Sequence, residues 1–402
     1  MNNIKPIESC LICKNSMLTA LLDLGNQALA NSYIKNKESE ELEFPLALNL
    51  CEHCYHVQLT HSVNPDLLFR NYLYVSGTSN TFNQYLKFFA SPYLKESPKR
   101  VLEIACNDGS LLKLFKDAGW STFGVDPAIN LKPLVEEKGL SVLAEYWNLE
   151  TAKFLNQKFD LIIAMHVLPH VPDPVEFILA CKEVLADNGR IVLQTSQCEM
   201  FQNFEYDCTY HEHCSYFSAK SFKKLAEICG LKCSSSYKAN IHGKSYVVTF
   251  SNVEDNTLNQ IELDEANIGR YTKDFYNKFS NKAFSLTKEL KESIDSYRNQ
   301  GYTIVGFGAA AKGNTVLNFG DIHLDYIVDD NPLKWNYYTP GIHTIIKNPD
   351  CISQEYNKCL FVILAWNFYN EIKYNILKRR SNPDDKFITY FPAIKIQNNS
   401  VQ

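Results

Sequence analysis

The feature that most constrains this chain is an alternation of short apolar runs and helical stretches that begins near residue 99. "KRVLEIAC", "STFGVD", "FDLIIAMHVL" and "RIVLQTS" are compact runs of branched and aliphatic residues. Between them, "SLLKLFKDAG", "LKPLVEEKG" and "PVEFILACKEVLADNG" carry apolar residues at helical spacing, the first stopped by Gly119. Strands joined through helices must lie parallel, with helices on both sheet faces, so the pattern predicts a doubly wound α/β domain. "SYVVTFSN" at 245–252 would add a last strand. After a charged, aromatic helical stretch at about 257–298, "YTIVGFGAAAKGN", "LDYIVDDNP" and "LFVILAWNF" repeat the pattern and predict half of a second doubly wound sheet. A chain of 402 residues is too long for one core. The expected division is 1–75, 76–255 and 256–402.

The first of these segments contains two CxxC pairs. Cys10 and Cys13, with Cys51 and Cys54 after 37 intervening residues, form two knuckles that turn four thiolates toward one point, the pattern of a tetrahedral zinc site. A loop of this length closes at little extra entropy. Four protein ligands leave no position open for water, so the zinc is expected to be structural, with His53 and His56 as bystanders. The polar run "NKESEELE" between the knuckles reads as a solvated loop, and "NTFNQYLKFFASPYL" as a helix leading into the α/β domain. With 45% apolar and 21% charged residues the chain reads as soluble and globular. A net charge of −5 offers no general attraction for nucleic acid. No apolar run approaches the ~20 residues that span a bilayer, and "MNNIKPIESC" lacks the apolar stretch of a secretory signal. The expected location is therefore the cytoplasm, with no membrane partner. There, 13 cysteines are not read as disulfides.

"VLEIACNDGSLL" follows the first α/β strand and opens a helix, the place where backbone N–H groups accept close approach by a nucleotide cofactor. It lacks the GxGxxG of dinucleotide sites. It reads instead as the ExGxGxG pattern of class I methyltransferases, with Ala105 and Asn107 where glycines usually stand and Gly109 kept. Glu103 and Asp108 are acids that suit the cationic end of S-adenosylmethionine. Asp126, ending the second strand, is placed for ribose hydroxyls. Tyr146 or Trp147 is placed to cover the adenine or to pack in the core.

"DCTYHEHCSYF", residues 207–217, follows the fifth strand at the sheet's carboxyl edge, where ligands bind. Its cysteines and histidines lack the spacing of a metal knuckle, and it holds too many polar groups for core. If the segment is extended, Tyr210 and Glu212 share one face and His211 and His213 the other. Such a strand presents a histidine base and a tyrosine donor to a ligand.

Together, "CLIC…CEHC", "NYLYVSGTSNTF", "LEIACNDGSLL", "YHEHCSYFS" and "GFGAAAKGNT" resemble the sugar C-methyltransferases of deoxysugar biosynthesis, over nearly the whole chain. The resemblance implies a zinc-binding module, a Rossmann-like class I methyltransferase core and a smaller C-terminal nucleotide-sugar-binding α/β domain. It implies a monomer that methylates C-3 of a nucleotide-linked 4-keto-6-deoxyhexose through an enolate. Carried onto this sequence, it makes His213 the base with Glu212 beside it, and Tyr210, Tyr74 or His170 the stabiliser of the enolate oxygen. Glu103, Asn107, Asp108, Gly109, Asp126 and Trp147 would hold the donor, and Tyr72, Ser76, His211, Lys312 and Asn314 the sugar nucleotide. "MHVLPH" at 165–170 departs from the family in lacking an asparagine near its start. Two other readings fit some residues. One is an O- or N-methyltransferase, which would also use a histidine base. The other is a zinc-ribbon nucleic-acid-binding protein with a degenerate methyltransferase fold, against which "NKESEELE" argues. The C-terminal glycines match neither GxxxxGK[ST] nor GxGxxG, so independent ATP or NAD chemistry there is not expected.

Overall fold

The first alternation folds as expected in a computed structural model, which describes residues 3–70, 77, 80–241 and 243–399. Its strands are β1 (Arg100–Ile104), β2 (Ser121–Val125), β3 (Val142–Leu143), β4 (Phe159–Met165), β5 (Leu185–Thr195), β6 (Lys232–Ala239) and β7 (Ser245–Ser251). Their order across the sheet is β3-β2-β1-β4-β5-β7-β6. The first five run parallel, whereas β7 is antiparallel to both β5 and β6. A reversed strand inserted after β5 separates this sheet from the all-parallel dinucleotide fold. Helix Ser110–Asp117 buries Leu111, Leu112 and Phe115 against the sheet, the stripe that its leucine spacing predicts.

This sheet belongs to one of two compact units. The first comprises 1–20, 49–199 and 212–271; the second comprises 21–48, 200–211 and 272–402. The units thus cut across the boundaries expected at 75 and 255. Residues 21–48, from the middle of the expected zinc module, are tied inside the second unit: Tyr33 Oη donates to the Ala309 carbonyl at 2.6 Å, and Asn314 Nδ2 donates to that of Ala30 at 2.6 Å. A bridge between Ile34 and Tyr338 adds to these bonds.

In the C-terminal alternation three strands were expected, and its sheet has six among the described residues: β8 (Thr303–Phe307), β9 (Tyr326–Val328), β10 (Ile346–Lys347), β11 (Cys359–Ile363), β12 (Lys386–Thr389) and β13 (Lys395–Asn398). Their order is β10-β9-β8-β11-β12-β13, parallel except for the last. This is the complete Rossmann order rather than half of it.

Two features of the first unit hold residues 212–217, the part of the histidine-rich segment that lies in it. Strand Val57–Leu59, just beyond the second knuckle, pairs antiparallel with Ser215–Tyr216. The buried Arg270 guanidinium donates to the carbonyls of Cys198 (2.9 Å) and Phe217 (2.8 Å) and pairs with Glu265 at 3.1 Å. No helix among the described residues is long and apolar enough to cross a membrane.

Candidate active site and metal centre

The two knuckles repeat one geometry. The N–H of Cys10 reaches the carbonyl of Asn15 at 2.9 Å, and that of Cys51 the carbonyl of His56 at 2.9 Å. Lys14 and Tyr55, each just after the second cysteine of its pair, are left-handed at φ 57° and 55°. All four sulfurs lie within 4.8 Å of one another, with Cys10–Cys54 at 3.5 Å and Cys13–Cys51 at 3.6 Å. A tetrahedron of Zn–S bonds of about 2.3 Å has edges of about 3.8 Å, so these thiols fit zinc. His56 belongs to the core: its Nε2 meets Ser215 Oγ at 3.1 Å, its ring faces Phe217, and burial pulls its pKa down to about 3.

At the carboxyl ends of β1 and β2 the donor turn has an uncommon backbone. Ala105, Asn107 and Gly109 all have positive φ, at 57°, 51° and 74°. Two non-glycine residues therefore hold the conformation that glycine adopts without strain. The turn is closed by Asp126, whose Oδ2 accepts the Asn107 N–H and whose Oδ1 accepts that of Ala128, both at 2.8 Å. At Gly109 an added Cβ would meet the Leu140 side chain at 2.7 Å.

The three acids differ. Asp108 is paired with Lys138 at 2.7 Å and bonded to Ser110 Oγ at 2.7 Å, and a side chain at Gly77 would collide with it. Asp126 titrates higher than usual because burial outweighs its two backbone bonds. Glu103 is only 6% exposed, and its Oε2 has no hydrogen-bond partner among the described residues. Burial, with Asp108 beside it, holds its carboxyl well above the usual range. A buried acceptor without a donor, beside a second buried acid, suits a ligand that brings positive charge and hydroxyl donors. S-adenosylmethionine has both. Trp147 is half-buried against the core, and its indole N–H reaches the Phe177 carbonyl at 3.3 Å.

The segments that follow β4 and β5 carry the imidazoles, with His213 just before the strand Ser215–Tyr216. His170 and His213 have ring centroids 4.9 Å apart. Nδ1 of His170 donates to the Glu212 carbonyl at 2.8 Å, and Phe69 meets the ring edge-on. Burial lowers its pKa to about 4, against carbonyl contacts from Glu212 and His166 that favour the charged ring. His213 Nδ1 lies 2.7 Å from the amide nitrogen of Gln197. The sequence reading missed Gln197, and also Gln194, whose amide bridges His166 and the Tyr85 hydroxyl. The available signal was two glutamines closing an apolar strand at the ligand edge.

The motif itself corrects one expectation. Residues 210–212 form a bend and turn rather than an extended strand, so the predicted facing of His211 with His213 does not occur. His211 belongs to the second unit, where its Nε2 meets the Phe44 carbonyl at 3.1 Å and burial lowers its pKa to about 4. Tyr210 is half-buried in that unit, whereas Glu212 and His213 are buried in the first. Also in the second unit, Lys312 lies over the Trp366 ring at 4.9 Å, and the Trp366 indole donates to the fully buried Asp207 at 2.8 Å. Burial opposes the charge on Lys312, but Cys208, Asp207 and Glu205 outweigh it and raise the pKa. Asn314 is buried with its amide nitrogen engaged by Ala30. Tyr72, Tyr74 and Ser76 lie outside the described residues.

Three family models match the chain in sequence: a zinc binding domain at 10–69, a methyltransferase domain at 78–236 and a C-methyltransferase C-terminal domain at 240–392. The chain is 25% identical over 387 residues to C-methyltransferase NovU of Streptomyces niveus, covering 92% of each. It is 33% identical over 109 residues to the ubiquinone biosynthesis O-methyltransferase of Actinobacillus pleuropneumoniae serotype 5b (strain L20), covering 24% of this chain and 45% of that protein. A solved SAM-dependent methyltransferase from Archaeoglobus fulgidus matches 42% of this chain and 93% of its own, at 18% identity and a TM-score of 0.34.

Proposed function

We propose that this chain, a member of the S-adenosylmethionine-dependent C-methyltransferases, methylates C-3 of a nucleotide-diphosphate-linked 4-keto-6-deoxyhexose by way of an enolate. The observation that carries the reading is the pair of half-buried His170 and buried His213, at the same sheet edge as a Glu103 oxygen that has no hydrogen-bond partner among the described residues. A carbon acceptor needs a C–H made acidic by a neighbouring carbonyl, and removing that proton needs a base held in a dry site.

S-adenosylmethionine supplies, when bound, an electrophilic methyl group on a sulfonium. Glu103 and Asp126 would hold it at the Ala105–Gly109 turn through its cationic and hydroxyl groups. His213 takes the C-3 proton, with Glu212 beside it. His170 has its Nδ1 proton on the Glu212 carbonyl and stays neutral at physiological pH. Donation to the enolate oxygen at C-4 therefore falls to a tyrosine, Tyr210 or Tyr74. In the second unit, Lys312 is the group suited to a diphosphate, which fits the complete Rossmann order of that sheet. Tyr72, Ser76, His211 and Asn314 complete the sugar-nucleotide contacts in this reading. The protein acts as a cytoplasmic monomer without a nucleic-acid partner, in keeping with its net charge of −5.

The test supplies purified protein with the donor and a panel of nucleotide-linked 4-keto-6-deoxyhexoses, with mass spectrometry and carbon NMR on the products. The expected result is a methyl group on C-3 and, with the donor omitted, solvent deuterium entering at C-3 in the native protein but not in His213→Ala. Methylation at oxygen, or C-3 exchange that survives loss of His213, would overturn the mechanism.

A further inference from the structure

Beside His213 stands a side chain that the mechanism does not yet use. Gln197 follows the end of β5, is 6% exposed and has a backbone at φ 72°, a left-handed conformation unusual for a long side chain. Its amide nitrogen lies 2.7 Å from Nδ1 of His213. The other end of that amide, Oε1, is buried without a hydrogen-bond partner among the described residues. A strained, buried amide with one unsatisfied end, aimed at an imidazole, has too poor a hydrogen-bond inventory for a purely structural role.

The two ends of a primary amide exchange places by a half-turn about the Cγ–Cδ bond, and they have opposite effects on a neutral imidazole. When the amide N–H donates to Nδ1, the ring proton must sit on Nε2, and the ring can only donate from that atom. When the amide oxygen faces Nδ1, it accepts a proton held there, and the lone pair moves to Nε2. Only the second arrangement makes Nε2 a base.

We infer that Gln197 is a positioning residue that selects the tautomer of His213, turning its carbonyl oxygen to Nδ1–H so that Nε2 carries the basic lone pair. This rests on the reading of His213 as the base. The amide is suited to the task because it has no charge of its own. A carboxylate in its place would fix the same tautomer but would also stabilise the imidazolium and make the ring slower to release its proton.

Full-length protein labelled with nitrogen-15 histidine and saturated with S-adenosylmethionine tests this without any sugar. The His213 signals are assigned by their loss in His213→Asn, and the tautomer is read from long-range proton–nitrogen correlations at a pH where the ring is neutral. The expected result is a protonated Nδ1 and a bare Nε2 in the native protein and in Gln197→Glu, with a shift toward Nε2–H in Gln197→Leu. Gln197→Glu should also raise the ring's titration midpoint by about one pH unit or more. With the sugar substrate, Gln197→Leu should lower kcat on the order of 10- to 100-fold with little change in KM. Native protein with its proton on Nε2, or identical His213 signals in native protein and Gln197→Leu, would overturn the inference. Should Gln197→Leu fail to fold, an unmoved midpoint in Gln197→Glu would do the same. The expected tautomer shifts, found alongside full turnover in His213→Ala, would uphold the Gln197 assignment and defeat the reading of His213 as base.

Discussion

Replacing Glu103 by glutamine should make the donor-free protein more stable at neutral pH while weakening its hold on the donor. The carboxyl is buried, has one oxygen without a partner among the described residues, and titrates well above the usual range through burial and the proximity of Asp108. The folded state therefore keeps a proton that the unfolded chain releases near pH 4.3. With more protons bound folded than unfolded, stability is greatest below that pH and falls as pH rises toward the folded pKa, by up to about 1.4 kcal/mol per pH unit. The amide of Glu103→Gln has no proton to release, so thermal unfolding from pH 4 to 8 should show that slope in the native protein and lose it in the variant. Binding reverses the preference. A hydrogen bond to a charged carboxylate contributes about 1.5–3 kcal/mol, and losing that increment should raise the Kd for S-adenosylmethionine roughly 10- to 150-fold. Calorimetry in two buffers of different ionisation enthalpy should also show proton release on donor binding by the native protein alone. Equal donor affinity in the two proteins, with parallel pH–stability curves, would refute the argument that Glu103 holds the donor's cationic or hydroxyl end.

Stripping zinc with a strong chelator should leave four thiols within 4.8 Å without the ion that compensates them. We expect one zinc per chain by elemental analysis and, on its removal, loss of the pairing between Val57–Leu59 and Ser215–Tyr216, read as faster amide exchange in both segments. Ala105→Gly should stabilise the protein by about 0.5–1 kcal/mol, because relieving a left-handed alanine at φ 57° outweighs the flexibility that glycine adds to the unfolded chain; a lower melting temperature in the variant would show that the Ala105 side chain contributes packing that offsets its strain.

What could be read from the sequence follows how locally each feature is encoded. β1, β4 and β5 were legible because a buried parallel strand is an apolar run bounded by turns, and the zinc centre because thiolate chemistry dictates its spacing. β6 was not: "KCSSSYKA" has no apolar run and becomes a strand only by pairing with β7 at the sheet edge. β10, at two residues, is likewise recognisable only from its neighbour. The assignment of 21–48 to the second unit rests on bonds such as Tyr33 to Ala309, formed by residues far apart in the chain and ordinary in composition. In the candidate site the same distinction separates residues by chemistry. Histidines and acids are conspicuous in any sequence because they titrate, so His170, His213, Glu103 and Asp126 could be named before their surroundings were known. Gln194 and Gln197 carry no charge, and at the end of an apolar strand a glutamine reads as the point where the strand meets water. Yet an imidazole can be base or donor, and the sequence that supplies the ring does not say which. That choice is made by the neutral group against its second nitrogen, a backbone carbonyl for His170 and the Gln197 amide for His213. The direction of proton transfer in such a site is therefore written in its least conspicuous residues, and it becomes visible only when the fold brings them within hydrogen-bond distance.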